Sequence, residues 1–142
     1  MGKSRKNTTL DVLHKLQKRP VRIMTYANYR AHSKPIFHNL NILNVYDLCL
    51  THILHFVYKS PNCLLPPRYQ NHFTVLKHKY SHYTRGSKQN LYVLRAVKTC
   101  RRNSLRIRAP KYWNKLPQSL KDSSSYGIFK SSLKEYLLNC YV

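Results

Sequence analysis

The chain carries only four carboxylate side chains, and their positions limit the reactions that it could support. They are scattered along the sequence and never adjacent, at Asp11, Asp47, Asp122 and Glu135. Phosphoryl transfer by a pair of metal ions needs carboxylates that converge on those ions. The three glycines are also isolated, so the sequence has no glycine-rich phosphate loop. We therefore expect no catalytic residues and no enzyme activity in this chain alone.

Histidine and cysteine side chains could in principle bind a metal. His52 and His55 are three residues apart, with Cys49 one helical turn earlier and Cys63 shortly after them. Zinc sites in proteins usually combine two closely spaced pairs of ligands, and this sequence has no such arrangement. The pattern favours a half-buried thiol beside surface histidines, and we predict no metal and no other cofactor.

The balance of charge indicates a polyanionic partner. The sequence has 26 lysines and arginines against four acids, a formal charge of +22 over 142 residues. Solubility would be served by mixed charges, whereas an excess this large attracts phosphate backbones. We predict binding of RNA and/or DNA through phosphates, with exposed tyrosines stacking on unpaired bases. The candidate phosphate-binding residues are Lys15, Lys18, Arg19, Arg22, Arg85, Arg106, Arg108 and Lys111.

Periodicity predicts a mainly α fold, a small helical domain with a short β-hairpin around residues 91–108. The first helix would begin at Thr8 or Thr9, with Leu10, Leu13 and Leu16 on its apolar side, and Pro20 would kink or break it. In the hairpin, Leu105 and Ile107 would face one side, and Ala109 and Pro110 would end the second strand. Residues 77–90 lack periodicity and are typical of an exposed loop.

Three further helical segments are predicted. Pro35 can open a short helix whose apolar members would be Ile36, Phe37 and Leu40. Asn44 and Asp47 resemble a capping pair for the clearest helix, and a terminal helix would begin near Ser125. The inward face expected for the clearest helix contains Val45, Leu48, Cys49, His52, Ile53, Phe56 and Val57; that of the terminal helix contains Ile128, Phe129, Leu133, Tyr136 and Leu137.

Length and composition suggest a basic arm over residues 1–8 followed by a single helical region over residues 9–142. The four cysteines have no paired spacing and no secretory signal precedes them, so we expect free thiols and an intracellular location, in the nucleus and/or the cytoplasm. The longest apolar runs are far shorter than the roughly 20 residues that cross a bilayer, and we expect no membrane partner.

Four short motifs occur in an order that is similar to a known family. The segment Ser104-Leu105-Arg106-Ile107-Arg108-Ala109-Pro110-Lys111-Tyr112-Trp113-Asn114-Lys115-Leu116-Pro117 contains the pattern Pro-Lys-x-Trp-Asn-x-Leu-Pro. It is preceded by Gln17-Lys18-Arg19 with Arg22-Ile23 and by Tyr83-Thr84-Arg85, and it is followed by Phe129-Lys130 with Tyr136-Leu137-Leu138. Together they resemble the region after the thumb in jockey-like non-LTR retrotransposon reverse transcriptases, over nearly the whole chain.

The resemblance implies a fragment of a retroelement polymerase that holds template RNA and target DNA, with Trp113 as a core anchor. The aromatic-Ala-Asp-Asp metal motif of the polymerase palm has no counterpart here, so the catalytic domain would be an absent upstream partner. Pro20 stands where the family has a small helix-forming residue, and Ala109 where it usually has glycine. Two alternatives are a free-standing basic DNA- or RNA-binding protein and a decayed, non-functional open reading frame.

Overall fold

The computed structural model of the chain describes residues 8–76 and 89–141. Helix accounts for 61 % of these residues and no sheet is formed among them, so the prediction of a mainly α fold is confirmed. The helices are α1 (Thr8–Met24), α2 (Ser33–Asn39), α3 (Val45–Lys59), α4 (Thr99–Arg102), α5 (Leu105–Asn114), α6 (Gln118–Lys121) and α7 (Tyr126–Asn139), with a 3-10 turn at Pro67–Tyr69.

The chain divides into two compact units. The first comprises Met1–Cys49 and Leu133–Val142, and the second comprises Leu50–Ser132. We refer to them below as unit 1 and unit 2.

Unit 1 has a small apolar core around α2. The buried members of this core are Val21, Ile36, Phe37, Leu138 and Tyr141. The predicted short helix is therefore present and buries Ile36 and Phe37, but it begins at Ser33, before Pro35, and Leu40 is its C-cap. Burial of these side chains removes apolar surface from water, which stabilises the folded state by roughly 25 cal/mol for each Å² buried.

Polar groups fasten the start of α3 within unit 1. Asn44 Oδ1 accepts hydrogen bonds from the backbone N–H groups of Tyr46 (2.9 Å) and Asp47 (3.0 Å), which confirms the predicted cap. Gln17 donates through Nε2 to the Leu43 carbonyl (2.9 Å) and accepts at Oε1 from the Val45 N–H (3.0 Å). The glutamine of the first family-like motif thus holds α1 against the beginning of α3.

Pro20 does not end the first helix. α1 runs without interruption from Thr8 to Met24, so, of the kink or break predicted between Leu16 and Val21, the break is wrong. Pro20 lies on the exposed side of α1, where its ring adds no steric conflict with packed neighbours. Burial of the adjacent Val21 in the core of unit 1 offsets the missing backbone hydrogen bond.

Unit 2 is organised around aromatic packing. The rings of Tyr58 and Phe129 stack with centroids 4.4 Å apart, and Trp113 lies 5.9 Å from Phe129. Trp113 is buried and donates from Nε1 to the Gln89 carbonyl (3.0 Å). This position is that of a core anchor, and Leu54 and Ile107 are buried as well.

The hairpin predicted around residues 91–108 is not formed. Residues 99–102 and 105–108 are helical, and the chain makes instead one isolated antiparallel bridge between Val75 and Leu91. The alternation over residues 105–108 is short enough to fit a helix as well as a strand. In α5, Ile107, Pro110 and Trp113 recur at a spacing of three and are all buried, which is the periodicity of a helix. α5 continues through Pro110, so the prediction that Ala109 and Pro110 end the segment is wrong.

The predicted inward faces of α3 and α7 are partly wrong. α3 ends at Lys59 before Ser60-Pro61-Asn62, as expected, and Val57 is buried as predicted, but the other buried residues of this helix are Thr51, Leu54 and Tyr58. Leu48 and His52 are exposed, so the inward face is rotated from the predicted stripe. On α7, Phe129, Leu133 and Leu137 are buried as predicted, whereas Ile128 and Tyr136 are exposed and Leu138 is buried instead.

Candidate nucleic-acid interface

Four candidate phosphate-binding residues share one side of α1. At about 100° per residue, Lys15, Lys18, Arg19 and Arg22 fall within an arc of about 100° around the helix. Lys15 and Arg19 are exposed, and Lys18 and Arg22 are half-buried. Arg22 has a local structural role, because its Nε and Nη2 donate to the Ala31 carbonyl at 3.3 and 2.9 Å. The freely available charges of this surface are those of Lys15, Lys18 and Arg19.

The outer surface of α1 also carries apolar side chains. Val12, Leu16 and Ile23 are 55 %, 53 % and 74 % exposed. The predicted inward stripe through Leu13 and Leu16 is therefore wrong, because both side chains are exposed. α1 instead packs inward through Val21, with Gln17 and His14 beside it.

Two tyrosines that the sequence pattern left in a polar stretch lie just beyond the basic side of α1. Tyr26 and Tyr29 are 98 % and 78 % exposed. The Arg22 guanidinium carbon lies 5.9 Å from the centroid of the Tyr29 ring, within the range of a cation–π contact. Exposed rings beside cations are the combination with which proteins bind unpaired bases. In the sequence, the signal for these exposed rings is that both tyrosines lie outside any helical periodicity.

Tyr26 has an unusual backbone conformation. Its φ is 51°, in the left-handed region that costs a non-glycine residue roughly 1–2 kcal/mol. The cause is a Schellman motif that ends α1, in which the Ala27 N–H donates to the Arg22 carbonyl (3.0 Å) and the Tyr26 N–H to the Ile23 carbonyl (3.2 Å). Glycine or asparagine usually fills this position, and Asn41 fills it after α2 with φ 55°. The tyrosine is thus held in a strained conformation with its ring in solvent.

The second group of candidate residues lies on α5 of unit 2. Arg106 and Lys111 are exposed. Arg108 is half-buried, donates from Nη2 to the Tyr112 hydroxyl (3.0 Å), and lies 5.6 Å from the centroid of that ring. On an ideal helix Arg108 and Lys111 are about 60° apart, and Arg106 points to a different side. Arg85 lies outside the described residues.

Two of the carboxylates, those of Asp11 and Asp122, accept hydrogen bonds from neutral side chains. Asp11 accepts from the Tyr46 hydroxyl, and Asp122 accepts from the side-chain amides of Gln89 and Gln118. Even if each of the four acids paired with one cation, 22 of the 26 basic side chains would have no acidic partner. The net charge of the chain is therefore strongly positive, and a net charge of this sign attracts polyanions.

The histidines and cysteines form no cluster of metal ligands within the described residues: no three His, Cys, Asp or Glu side chains come together there. The rings of His52 and His55 are 6.4 Å apart at their centroids, Cys49 is a half-buried free thiol and Cys63 an exposed one. Removal from water lowers the pKa of His14 and of His55, and nearby positive charge, Lys18 for His14, lowers it further.

Comparisons with known proteins give no relative for this chain: no family model matches it, and neither the curated proteins nor the solved structures contain a match. Among the helices that the structure describes, none combines the length and apolar character needed to cross a bilayer.

Proposed function

We propose that this chain is a non-catalytic nucleic-acid-binding region of the kind that follows the polymerase domain in jockey-like non-LTR retrotransposon reverse transcriptases. The observation that carries the binding proposal is the basic side of α1 beside two solvent-exposed tyrosines. A cationic surface follows the backbone of a strand, while aromatic rings receive its bases. A single-stranded RNA or DNA segment fits this combination better than a duplex, whose bases are already stacked.

In this mechanism the cations of α1 neutralise consecutive phosphates. Lys15 and Arg19 have exposed side chains, and Lys18 adds a third charge on the same arc. Arg22 holds the segment that carries Tyr29 through its hydrogen bonds to the Ala31 carbonyl. Tyr26 and Tyr29 then stack on unpaired bases, each at roughly 1–3 kcal/mol. The α5 cations Arg106 and Lys111 add phosphate contacts in unit 2.

A salt titration tests the electrostatic part of the proposal. The affinity for a single-stranded oligonucleotide should fall linearly on a log–log plot against salt, by about 0.7 in slope for each neutralised phosphate. Lys15→Gln with Arg19→Gln should reduce the slope by roughly 1.4, two such contacts. The matched control, Lys130→Gln with Lys134→Gln, removes two exposed charges from α7 and should change it little. A wild-type slope near zero would refute phosphate binding.

The retroelement origin needs a different test. The gene sequence upstream of Met1 should continue in frame into a polymerase palm that carries the aromatic-Ala-Asp-Asp motif. A stop codon close to Met1, in a gene that is nevertheless translated, would instead favour a free-standing binding protein. A clear preference of the purified chain for one duplex sequence would also favour that alternative.

A further inference from the structure

Unit 2 contains a cavity that the basic surfaces do not explain. Its volume is about 770 Å³, within the range typical of small-ligand sites. Aromatic and aliphatic side chains form much of its wall, among them Tyr58, Phe73 and Trp113. The rings of Tyr58 and Trp113 are held in place by Phe129, against which both pack. The cavity thus has a large, rigid aromatic component.

Polar groups of both kinds lie in the same wall. Lys121 is only 7 % exposed, and one of its N–H groups donates to Asn90 Oδ1 at 3.0 Å, which leaves two further donors. Gln89 donates from Nε2 to the Asp122 carboxylate, which can only accept. The orientation of the Gln89 amide is therefore defined, and its Oε1 is buried with no hydrogen-bond partner.

The acceptor that a ligand can reach in this wall is the exposed Asp122 carboxylate, which accepts from Gln89 and Gln118 and has lone pairs for a further donor. The wall contains one lysine and one aspartate, Lys121 and Asp122, so their charges cancel and the cavity favours a neutral ligand over a free phosphate. Burial also lowers the pKa of Lys121, with Asp122 opposing this effect. The ligand should be flat, neutral, and able both to donate and to accept hydrogen bonds.

We propose that this cavity receives one unpaired nucleobase, with its sugar, from a single strand bound to the chain. A base offers flat faces to the aromatic wall, an amino group to the Asp122 carboxylate, and a ring carbonyl to Lys121. The inference rests on the proposed function and adds a base-binding site to it. Helix α5 contributes to both the phosphate-binding surface and the cavity, because its Lys111 is exposed to solvent and its Trp113 lies in the cavity wall.

Trp113 is the only tryptophan of the chain and lies in the cavity wall, so tryptophan emission can be followed at this one position. An oligonucleotide of about twelve nucleotides, a length within known site sizes, should bind with a change in Trp113 emission. An abasic oligonucleotide of equal length keeps the phosphates, and it should still bind, as anisotropy of a labelled strand would show, without that change. Binding of both strands with identical Trp113 emission would overturn the inference and leave the proposed function intact.

A nucleoside without phosphate tests the cavity even if no oligonucleotide binds. Cytidine should quench Trp113 in a saturable manner, and an absence of saturable quenching would overturn the inference. Thr74 is an exposed residue of the cavity wall, so Thr74→Phe should fill the cavity and weaken the binding of cytidine roughly tenfold or more. Ser119→Phe places the same ring on an exposed position outside the wall and should change it less than twofold. Equal cytidine affinity in both variants would count against the cavity.

Discussion

Replacement of Tyr26 by glycine should stabilise the fold and weaken nucleic-acid binding at the same time. The left-handed conformation at φ 51° costs a tyrosine roughly 1–2 kcal/mol. Glycine removes that cost but adds about 0.5–1 kcal/mol of chain entropy on folding. Because the Tyr26 side chain is 98 % exposed, no packing is lost. The Tyr26→Gly variant should therefore gain about 0.5–1 kcal/mol in its free energy of unfolding.

The same variant loses one ring from the proposed binding surface. A single base stack contributes roughly 1–3 kcal/mol, so the affinity for a single-stranded oligonucleotide should fall roughly 5- to 150-fold. The slope of log affinity on log salt should not change, because no cation is removed. A ring that contacted phosphate through its hydroxyl would instead lose affinity when that hydroxyl alone is removed, as in Tyr26→Phe.

Two control variants separate the ring from the backbone. Tyr26→Phe keeps the ring and the left-handed backbone, so stability and affinity should both stay near the wild-type values. Asn41→Gly changes the equivalent position after α2 without removing an aromatic ring, so affinity should be unchanged. Urea unfolding followed by circular dichroism measures stability, and anisotropy of a labelled strand measures affinity. Lower stability of Tyr26→Gly, or unchanged affinity, would refute the reasoning.

Three further outcomes are expected from urea unfolding. Pro20→Ala restores the N–H that would donate to the Leu16 carbonyl and should raise the free energy of unfolding by up to about 3 kcal/mol. An unchanged free energy of unfolding would mean that the helix accommodates the proline ring without cost. Tyr141→Phe removes the hydroxyl that accepts from the Asn44 N–H and donates to the Asp47 carboxylate, so it should cost about 2 kcal/mol. Tyr136→Phe, at an exposed position on α7, should cost under about 0.5 kcal/mol. The folded-state pKa of His55 is lowered. The free energy of unfolding should therefore be greatest above the unfolded histidine pKa near 6.5 and should fall as the pH decreases through that value. The His55→Phe variant should show a shallower decrease.

Local signals in the sequence predicted several elements well. Asn44 and Asp47 form a cap whose bonds all lie within four residues, and Pro35 lies in the first turn of α2, two residues after the helix begins at Ser33. Trp113 was expected in the core because a large apolar ring between apolar neighbours is costly to expose, and it is buried. These features depend on backbone chemistry and hydrophobicity at neighbouring positions, which the sequence states directly.

The buried face of each helix, and whether a short segment forms a strand or a helix, were harder to predict. The alternation of Leu105 and Ile107 fits a strand and the first turn of a helix equally well over four residues, and burial of Ile107 with Trp113 decided for the helix. On α3, apolar residues occur both on the predicted face and on the face that contains Leu54. Packing of Leu54 against its neighbours makes the second of these the buried face. Lys121 looked like any solvated lysine, since nothing in the sequence shows that its ammonium lies against Asn90.

The sequence by itself determined the charge, the helical character and the scarcity of acids, because composition and local periodicity survive in any packing. A net charge of +22 is a property of the chain whatever its conformation. Only the tertiary structure decided that Arg22 is fastened to the Ala31 carbonyl while Tyr26 stands in solvent at a strained backbone position. Contacts between residues distant in sequence select which side chains are buried, and that selection leaves Lys15, Arg19 and the two tyrosines available to a ligand.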